Sequence, residues 1–222
     1  KKITPAIGKL KKVKDLSIGG NEFEYLPEEI GQLVSLEEFG LSGGILKRLP
    51  ETIGNLKELQ YLEAGENQLT HLPVSIGNLS NLRNLQLHQN KLTSLPRSIN
   101  NLSKLILLSL GKNNFSRFDY DFSGLLSLEH FDMSGNNITE IPSSLRFCRK
   151  LKHLELTEAK IKFIPNWITE LKDLQWILLD DNEITVIPSF STFSKLEIVR
   201  FFFIILDTLP EHIFEFEELT GD

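Results

Sequence analysis

The sequence predicts an α/β solenoid, in which short parallel strands alternate with tight helical turns. The first observation is a leucine-like residue every 23 positions along almost the whole chain. The second is that each unit carries two apolar patterns, one with a spacing of two residues and one with a spacing of three. A unit this short cannot bury its own apolar face, so consecutive units must stack. The units begin near residues 13, 36, 59, 82, 105, 128, 151, 174 and 196.

The spacing of two predicts one β-strand in each unit. In Leu85-Gln86-Leu87 and in Leu108-Ser109-Leu110, leucines alternate with residues that must face the other way. Every unit supplies such a strand in the same direction, so we expect a parallel sheet with about 4.8 Å between neighbouring strands.

The spacing of three predicts 3₁₀ or short helical turns in the second half of each unit. Ile53, Leu56 and Leu59 show this spacing. The helical half is bulkier than a strand, so we expect the stack to bend into a curved, right-handed superhelix. The strands then lie on its concave face and the helical turns on its convex face.

The full pattern resembles the leucine-rich repeat family, in which L-x-x-L-x-L-x-x-N-x-L marks each unit. The second halves at residues 49–59 and 72–82 look most like bacterial repeat proteins of spirochaetes, and are also similar to Ras-binding and cell-polarity scaffold repeats of eukaryotes. We expect one domain over residues 1–222, with nine full repeats and a partial repeat at each end. One complete unit consists of Leu59, Leu62, Ala64, Asn67, Leu69, Leu72, Pro73, Ile76 and Leu79.

An asparagine recurs at one turn position. In the family this side chain lies inside the turn and bonds backbone groups of its own and neighbouring repeats, a role that suits the two donors and the acceptor of an amide. Gly44, Ala159 and Ile204 occupy the position in three repeats and predict interruptions. The expected structural ladder is Asn21, Asn67, Asn90, Asn113, Asn136 and Asn182.

Composition narrows the function. With 24 Lys and Arg against 30 Asp and Glu, the net charge of −6 favours neither nucleic acid nor an anionic membrane as a partner. The chain has no apolar run of bilayer length, so we expect no membrane insertion. The single cysteine, Cys148, excludes an internal disulfide and falls on a leucine position, where we expect a small buried hydrophobe.

The residues between the strand leucines form the candidate recognition surface. Tyr61 and Trp176 are aromatic residues of the kind that often anchor interfaces, and the acidic residues favour a basic partner. The alternative is an ordinary solvated surface. The partner-binding candidates are Tyr61, Glu63, Asn84, Gln86, His88, His130, Asp132, His153, Glu155, Trp176, Leu178 and Asp180.

One cluster on this surface has the residue types of a zinc site. His130 and His153 should be neighbours in adjacent strands, with Asp132 and Glu155 beside them. Strand geometry converges poorly on a tetrahedron, and the sequence shows no supporting outer shell. We therefore predict neither a metal site nor a cofactor.

The last complete repeat places large apolar residues at positions that are elsewhere small or polar: Phe202, Phe203 and Ile205. One interpretation is a cover formed by residues beyond Asp222, or by residues 211–219 folding back. The other is a dimer or partner contact, since exposed apolar patches mark interaction sites.

Catalytic motifs are absent: the sequence has no Gly-rich phosphate loop, no HExxH and no nucleophile beside a base. It therefore predicts a non-enzymatic module that binds a protein partner through the concave sheet. The alternatives are a bacterial surface or secreted adhesin or effector segment that binds host molecules, and the targeting part of a larger enzyme. The chain begins and ends inside a repeat and shows no signal peptide, so we expect a segment of a longer protein, and its location (secreted, cell-surface or cytoplasmic) stays open.

Overall fold

The computed structural model describes residues 2–117, 120–190 and 192–204. In this part of the chain one sheet contains nine parallel strands in sequence order, which confirms the predicted solenoid. The strands are β1 (Asp15–Ser17), β2 (Glu38–Gly40), β3 (Tyr61–Glu63), β4 (Asn84–Gln86), β5 (Leu107–Ser109), β6 (His130–Asp132), β7 (His153–Glu155), β8 (Trp176–Leu178) and β9 (Ile198–Arg200).

The strands pair in the register that the repeat predicts. Leu62 of β3 lies opposite Leu85 of β4, one repeat later in the sequence. Ile177 of β8 lies opposite Val199 of β9, because the repeat between them is one residue shorter. The middle residue of each strand from β2 to β9 is buried, while the residues on either side face outward. These middle residues form one side of a single apolar core.

Seven 3₁₀ helices occupy the other side of the coil in the described residues. Every one of them except the first begins directly after a proline, whose fixed φ and missing N–H suit the residue that precedes a helix. The helices are η1 (Pro5–Lys9), η2 (Glu28–Gln32), η3 (Glu51–Asn55), η4 (Val74–Asn78), η5 (Arg97–Asn101), η6 (Ser143–Phe147) and η7 (Asn166–Glu170). None of them has the length and apolarity that crossing a bilayer requires, and the same holds for every helix in the described part of the chain.

The glycine of the recurring Ile-Gly pair allows neighbouring helices to approach closely. A Cβ on Gly54 would lie 2.5 Å from the backbone oxygen of Ser75, and a Cβ on Gly77 would lie 2.2 Å from that of Ser98. Both distances are far inside van der Waals contact. The glycine is therefore a packing requirement between consecutive repeats.

The segment between β5 and β6 has no proline, and its described residues contain no 3₁₀ helix. Aromatic side chains pack there instead. The ring of Phe122 meets that of Phe131 edge-on, with 5.4 Å between centroids, and the ring of Phe115 meets that of Tyr120 at 6.3 Å. Phe115, Phe122 and Phe131 are fully buried at positions that are Leu or Ile in the preceding repeat. Larger side chains thus fill the space beside an irregular backbone.

The asparagines inside the array join three segments of backbone. The Oδ1 atom of Asn113 accepts a hydrogen bond from the backbone N–H of Leu92 at 2.9 Å, and its Nδ2 donates to the carbonyls of Leu87 and Leu110, both at 2.9 Å. The same pattern recurs at Asn67, Asn90, Asn136 and Asn182. Asn21 differs: it is exposed and donates only to carbonyls of its own repeat.

Where asparagine is replaced, one backbone donor is left over. Ala159 occupies the asparagine position after β7. An asparagine there would accept a hydrogen bond from the buried N–H of Ile138, which has no hydrogen-bond partner among the described residues. A buried backbone N–H without a partner is uncommon and costly. The same loss occurs at Gly44, where the N–H of the buried Phe23 has no hydrogen-bond partner among the described residues, so the bridge between repeats is interrupted at both points.

The residue before the recurring asparagine position adopts a left-handed backbone conformation in each repeat. Glycine satisfies it at Gly20, Gly43 and Gly135, but larger residues occupy it elsewhere. The non-glycine residues with positive φ are Glu66, Gln89, Lys112, Glu158, Asp181 and Phe203.

Candidate functional site

The outward residues of the sheet form three columns, which we call the strand face. The first column comprises Asp15, Glu38, Tyr61, Asn84, Leu107, His130, His153, Trp176 and Ile198. The second comprises Ser17, Gly40, Glu63, Gln86, Ser109, Asp132, Glu155, Leu178 and Arg200. The third follows the strands and comprises Gly19, Ser42, Gly65, His88, Gly111, Ser134, Thr157, Asp180 and Phe202.

Three rings of the first column stack on one another. The imidazole of His130 meets that of His153 edge-on at 4.3 Å between centroids, and His153 lies flat against the indole of Trp176 at 4.0 Å with an angle of 5° between the planes. We call these three residues the aromatic ladder. All three side chains are half-buried. The sequence predicted their proximity but not their stacking.

The aromatic ladder favours neutral imidazoles. Burial lowers the pKa of His130, with a further small contribution from nearby Lys152. Burial also lowers the pKa of His153, and the neighbouring His130 adds to that effect. A proton on either ring would place a charge in a half-buried stack.

The carboxylates of Asp132 and Glu155 lie in the second column, next to the aromatic ladder, at paired positions of β6 and β7. Asp132 accepts hydrogen bonds from the hydroxyl of Ser109 and from the backbone N–H of Ser134, both at 2.9 Å, so its side chain is held in place. Glu155 is half-buried, and burial together with the charge of Asp132 raises the pKa of its carboxyl group. Neither carboxylate forms an ion pair within the described part of the chain.

The two histidines and two carboxylates do not converge on a metal. Their imidazoles contact other rings instead of a shared point. No group of three or more His, Cys, Asp or Glu side chains is placed to hold a metal ion among residues 2–117, 120–190 and 192–204.

Asp180 is placed differently from the other acidic candidates, because only 4% of it is exposed. It accepts a hydrogen bond from the backbone N–H of Phe202 at 2.8 Å and pairs with the guanidinium of Arg200 at 2.9 Å. That guanidinium also lies 5.1 Å from the centroid of the Phe202 ring. Asp180 thus ties β8 to the last described repeat and has little surface left for a partner.

The candidates at the start of the array are separate from the aromatic ladder. Tyr61 is 39% exposed and lies five strands away from Trp176, a distance of about 24 Å at the usual strand spacing. Glu63 is exposed, whereas Asn84 and Gln86 are half-buried. His88 packs over Gly65, where a Cβ would lie 2.6 Å from the imidazole, and reaches within 3.9 Å of Glu66.

At the other end of the sheet, Phe203 is 85% exposed and Phe202 is partly exposed. Ile205, the third member of this predicted apolar group, lies outside the described residues.

Cys148 is buried, its Sγ lies 3.5 Å from the carbonyl oxygen of Phe122, and burial raises the pKa of its thiol to about 12. It serves as a core residue and offers no thiolate nucleophile near neutral pH.

Two family models match the sequence. One, described as a leucine-rich repeat region, covers residues 51–134, and the other, a leucine-rich repeat, covers residues 127–148. No curated protein sequence matches at a significant level.

Solved structures share the whole solenoid. A leucine-rich repeat protein of Leptospira interrogans superposes with a TM-score of 0.93 and 30% identity over 97% of this chain. The plant peptide hormone receptor RGFR1, solved in complex with RGF2, superposes with a TM-score of 0.77 and 31% identity over 99% of this chain. A TDR receptor gives a TM-score of 0.82 and 28% identity over 98%. This chain spans 55%, 41% and 40% of those three proteins.

The parallel strand ladder, the 3₁₀ turns and the bridging asparagines define a leucine-rich repeat solenoid, a class more typical of binding modules than of enzymes. The chain is a leucine-rich repeat protein, and its repeats resemble those of the spirochaete protein.

Proposed function

We propose that this protein is a non-catalytic interaction module that binds a protein partner through its strand face. The observation that carries the proposal is the aromatic ladder of His130, His153 and Trp176, which is half-buried on the strand face. Stacked aromatic side chains lose little conformational freedom on binding, so they suit an interface centre. The likeness to a receptor solved with its peptide hormone supports the proposal.

The charge of the strand face favours a basic partner. Its three columns contain Asp15, Glu38, Glu63, Asp132, Glu155 and Asp180 but only one Arg or Lys, Arg200. Such a face attracts a positively charged protein surface and repels the phosphates of nucleic acid.

The experiment compares capture of partners by the unmodified protein and by the double variant His153→Ala/Trp176→Ala, using chemical cross-linking in extracts of the source cells or of their environment. Phe163→Ala is the matched control, because Phe163 is an exposed aromatic residue outside the strand face. The proposal expects the double variant to lose partners that the control keeps. Equal capture by all three proteins would contradict it.

A second candidate function is a surface or secreted adhesin, or an effector segment, that binds host molecules. The likeness to the Leptospira interrogans protein supports only the bacterial part of this candidate. This candidate uses the same strand face and differs from the first in location and partner. A third candidate, the targeting part of a larger enzyme, also uses the strand face and differs in its partner. Fractionation of the source cells, with detection of the native protein, separates the three: surface or medium for the second candidate, co-purification with an enzyme for the third.

We also propose that the exposed Phe202 and Phe203 form a contact between two copies of the chain. Analytical ultracentrifugation tests this contact. A dimer that Phe203→Asp converts to monomer supports it, and a monomer at high concentration before any substitution contradicts it.

A further inference from the structure

The strand face over β6, β7 and β8 combines two carboxylates, a stack of aromatic rings and an aliphatic side chain. We infer that Asp132 and Glu155 together bind an arginine side chain from an extended segment of the protein partner. This inference rests on the proposed function and names the chemistry of the residue that the strand face recognises.

The spacing of the two carboxylates suits a guanidinium. Asp132 and Glu155 are direct partners in the register of β6 and β7, so their backbones lie about 4.8 Å apart and both side chains project from the same face. A guanidinium presents its N–H groups as a planar fork and can donate to two carboxylates at once. The ammonium group of lysine lacks this fork and acts as a point charge.

The carboxylates carry a charge that the chain itself leaves uncompensated. No ion pair of the described residues includes either carboxylate, and two cations of this region are engaged elsewhere: Lys152 pairs with Glu129 at 2.6 Å, and Arg200 pairs with Asp180 at 2.9 Å. Glu155, half-buried beside the charge of Asp132, has a raised pKa for that reason. A bound guanidinium offsets both the burial and the like-charge repulsion.

The surroundings can hold the rest of an arginine. Leu178 follows Glu155 in the second column and offers an aliphatic contact to the methylene stem. Trp176 and His153 cover one face of each other at 4.0 Å, so the stack acts here as a fixed apolar wall beside the carboxylates. Asp132 is held by its hydrogen bonds to Ser109 and Ser134, so little side-chain freedom is lost when arginine binds.

The experiment uses a display library of random 12-residue peptides selected on the unmodified protein. Enriched peptides are then synthesised with arginine, lysine or citrulline at the shared position, and their affinities are measured by fluorescence anisotropy. We expect a conserved arginine, and about 10-fold weaker binding of the lysine and citrulline peptides, because a charged bidentate contact is lost.

Two protein variants complete the design. Glu155→Gln keeps the shape of the side chain and should weaken the arginine peptide about 10-fold, while having little effect on the citrulline peptide. Glu28→Gln removes an exposed carboxylate from η2, outside the strand face, and should leave the arginine contact unchanged. Thermal melts of both variants verify that the fold is kept.

The outcomes separate this inference from the proposed function. Peptides that lose affinity with His153→Ala/Trp176→Ala but share no arginine, or that bind Glu155→Gln equally well, overturn the inference and leave the strand face as a binding surface. If no peptide is enriched, the inference is overturned and the proposed function is weakened too. The same holds if the enriched peptides bind the double variant and Glu155→Gln as tightly as the unmodified protein.

Discussion

The repeats before residue 105 and those after it build the same solenoid with different regularity. From β2 to β5, proline precedes every 3₁₀ helix, and Asn67 and Asn90 follow β3 and β4 in register, with Gly44 as the one replaced asparagine. After β5, the described residues of one repeat contain no 3₁₀ helix, Ala159 replaces an asparagine, and the step from β8 to β9 is one residue shorter.

The loss of a recurring repeat residue has different structural consequences for proline and for asparagine. Where proline is lost, the buried Phe115, Phe122 and Phe131 replace a regular helix with aromatic packing. Where asparagine is lost at Ala159, no side chain among the described residues takes its place as acceptor for the N–H of Ile138. Apolar packing is non-directional and easily rearranged, whereas a buried donor needs one acceptor at one place. The aromatic ladder spans β6, β7 and β8, on both sides of this weak point.

The largest effect is expected from removing the compensating aromatic residue. Phe122→Ala should lower the free energy of unfolding by about 3–5 kcal/mol, because it deletes a fully buried ring from a repeat that lacks its helix. Ile99→Ala, at the same position of the preceding regular repeat, is the matched variant and should cost about 2–4 kcal/mol. Urea unfolding measures both. A cost for Phe122→Ala below 1 kcal/mol would show that the aromatic packing compensates for nothing.

Next comes the asparagine ladder. Asn136→Ala should cost about 1–3 kcal/mol, because it leaves the N–H of Phe115 and the carbonyl of Met133 short of a partner. Asn21→Ala, at the exposed first position, should cost less than about 0.5 kcal/mol. Thermal and urea unfolding of the pair test the difference, and equal costs would contradict the role assigned to bonding between repeats.

Restoring the missing amide should have a smaller effect of opposite sign. Ala159→Asn should raise the free energy of unfolding by about 0.5–1.5 kcal/mol, because its Oδ1 can accept the N–H of Ile138. Ala159→Leu brings similar bulk without an acceptor and serves as the control. If the leucine variant gains as much as the asparagine variant, the gain comes from packing, and the hydrogen-bond explanation fails.

The smallest effect is a pH dependence in the irregular part. Since the pKa values of His130 and His153 lie below their usual 6.5 in the folded protein, the unfolded chain binds more protons near pH 6. Their contribution to stability is therefore complete above pH 6.5 and declines as the pH falls below it. His153→Phe keeps a ring in the ladder and should flatten this decline in urea unfolding between pH 7.5 and 5.5. An unchanged slope would rule out His153 as a contributor.

The period predicted the strands, their register and the outward columns, because stacking in a solenoid is fixed by repeat length. It could not predict side-chain orientation, so the stacking of His153 on Trp176 appeared only in the structure. Nor did it show that Asp180 turns inward, because that depends on Arg200 of the shortened repeat. The left-handed position was also missed, since Glu66 and Lys112 hold it without glycine.

The central claim is that a buried asparagine bridges neighbouring repeats inside the array, and that Ala159, like Gly44, removes this bridge. Native-state hydrogen exchange, read at individual backbone amides, tests the claim most directly. The N–H of Leu92, which donates to Asn113, should exchange far more slowly than the equally buried N–H of Ile138, which has no acceptor in the described residues. Equal protection of these two amides would contradict the account.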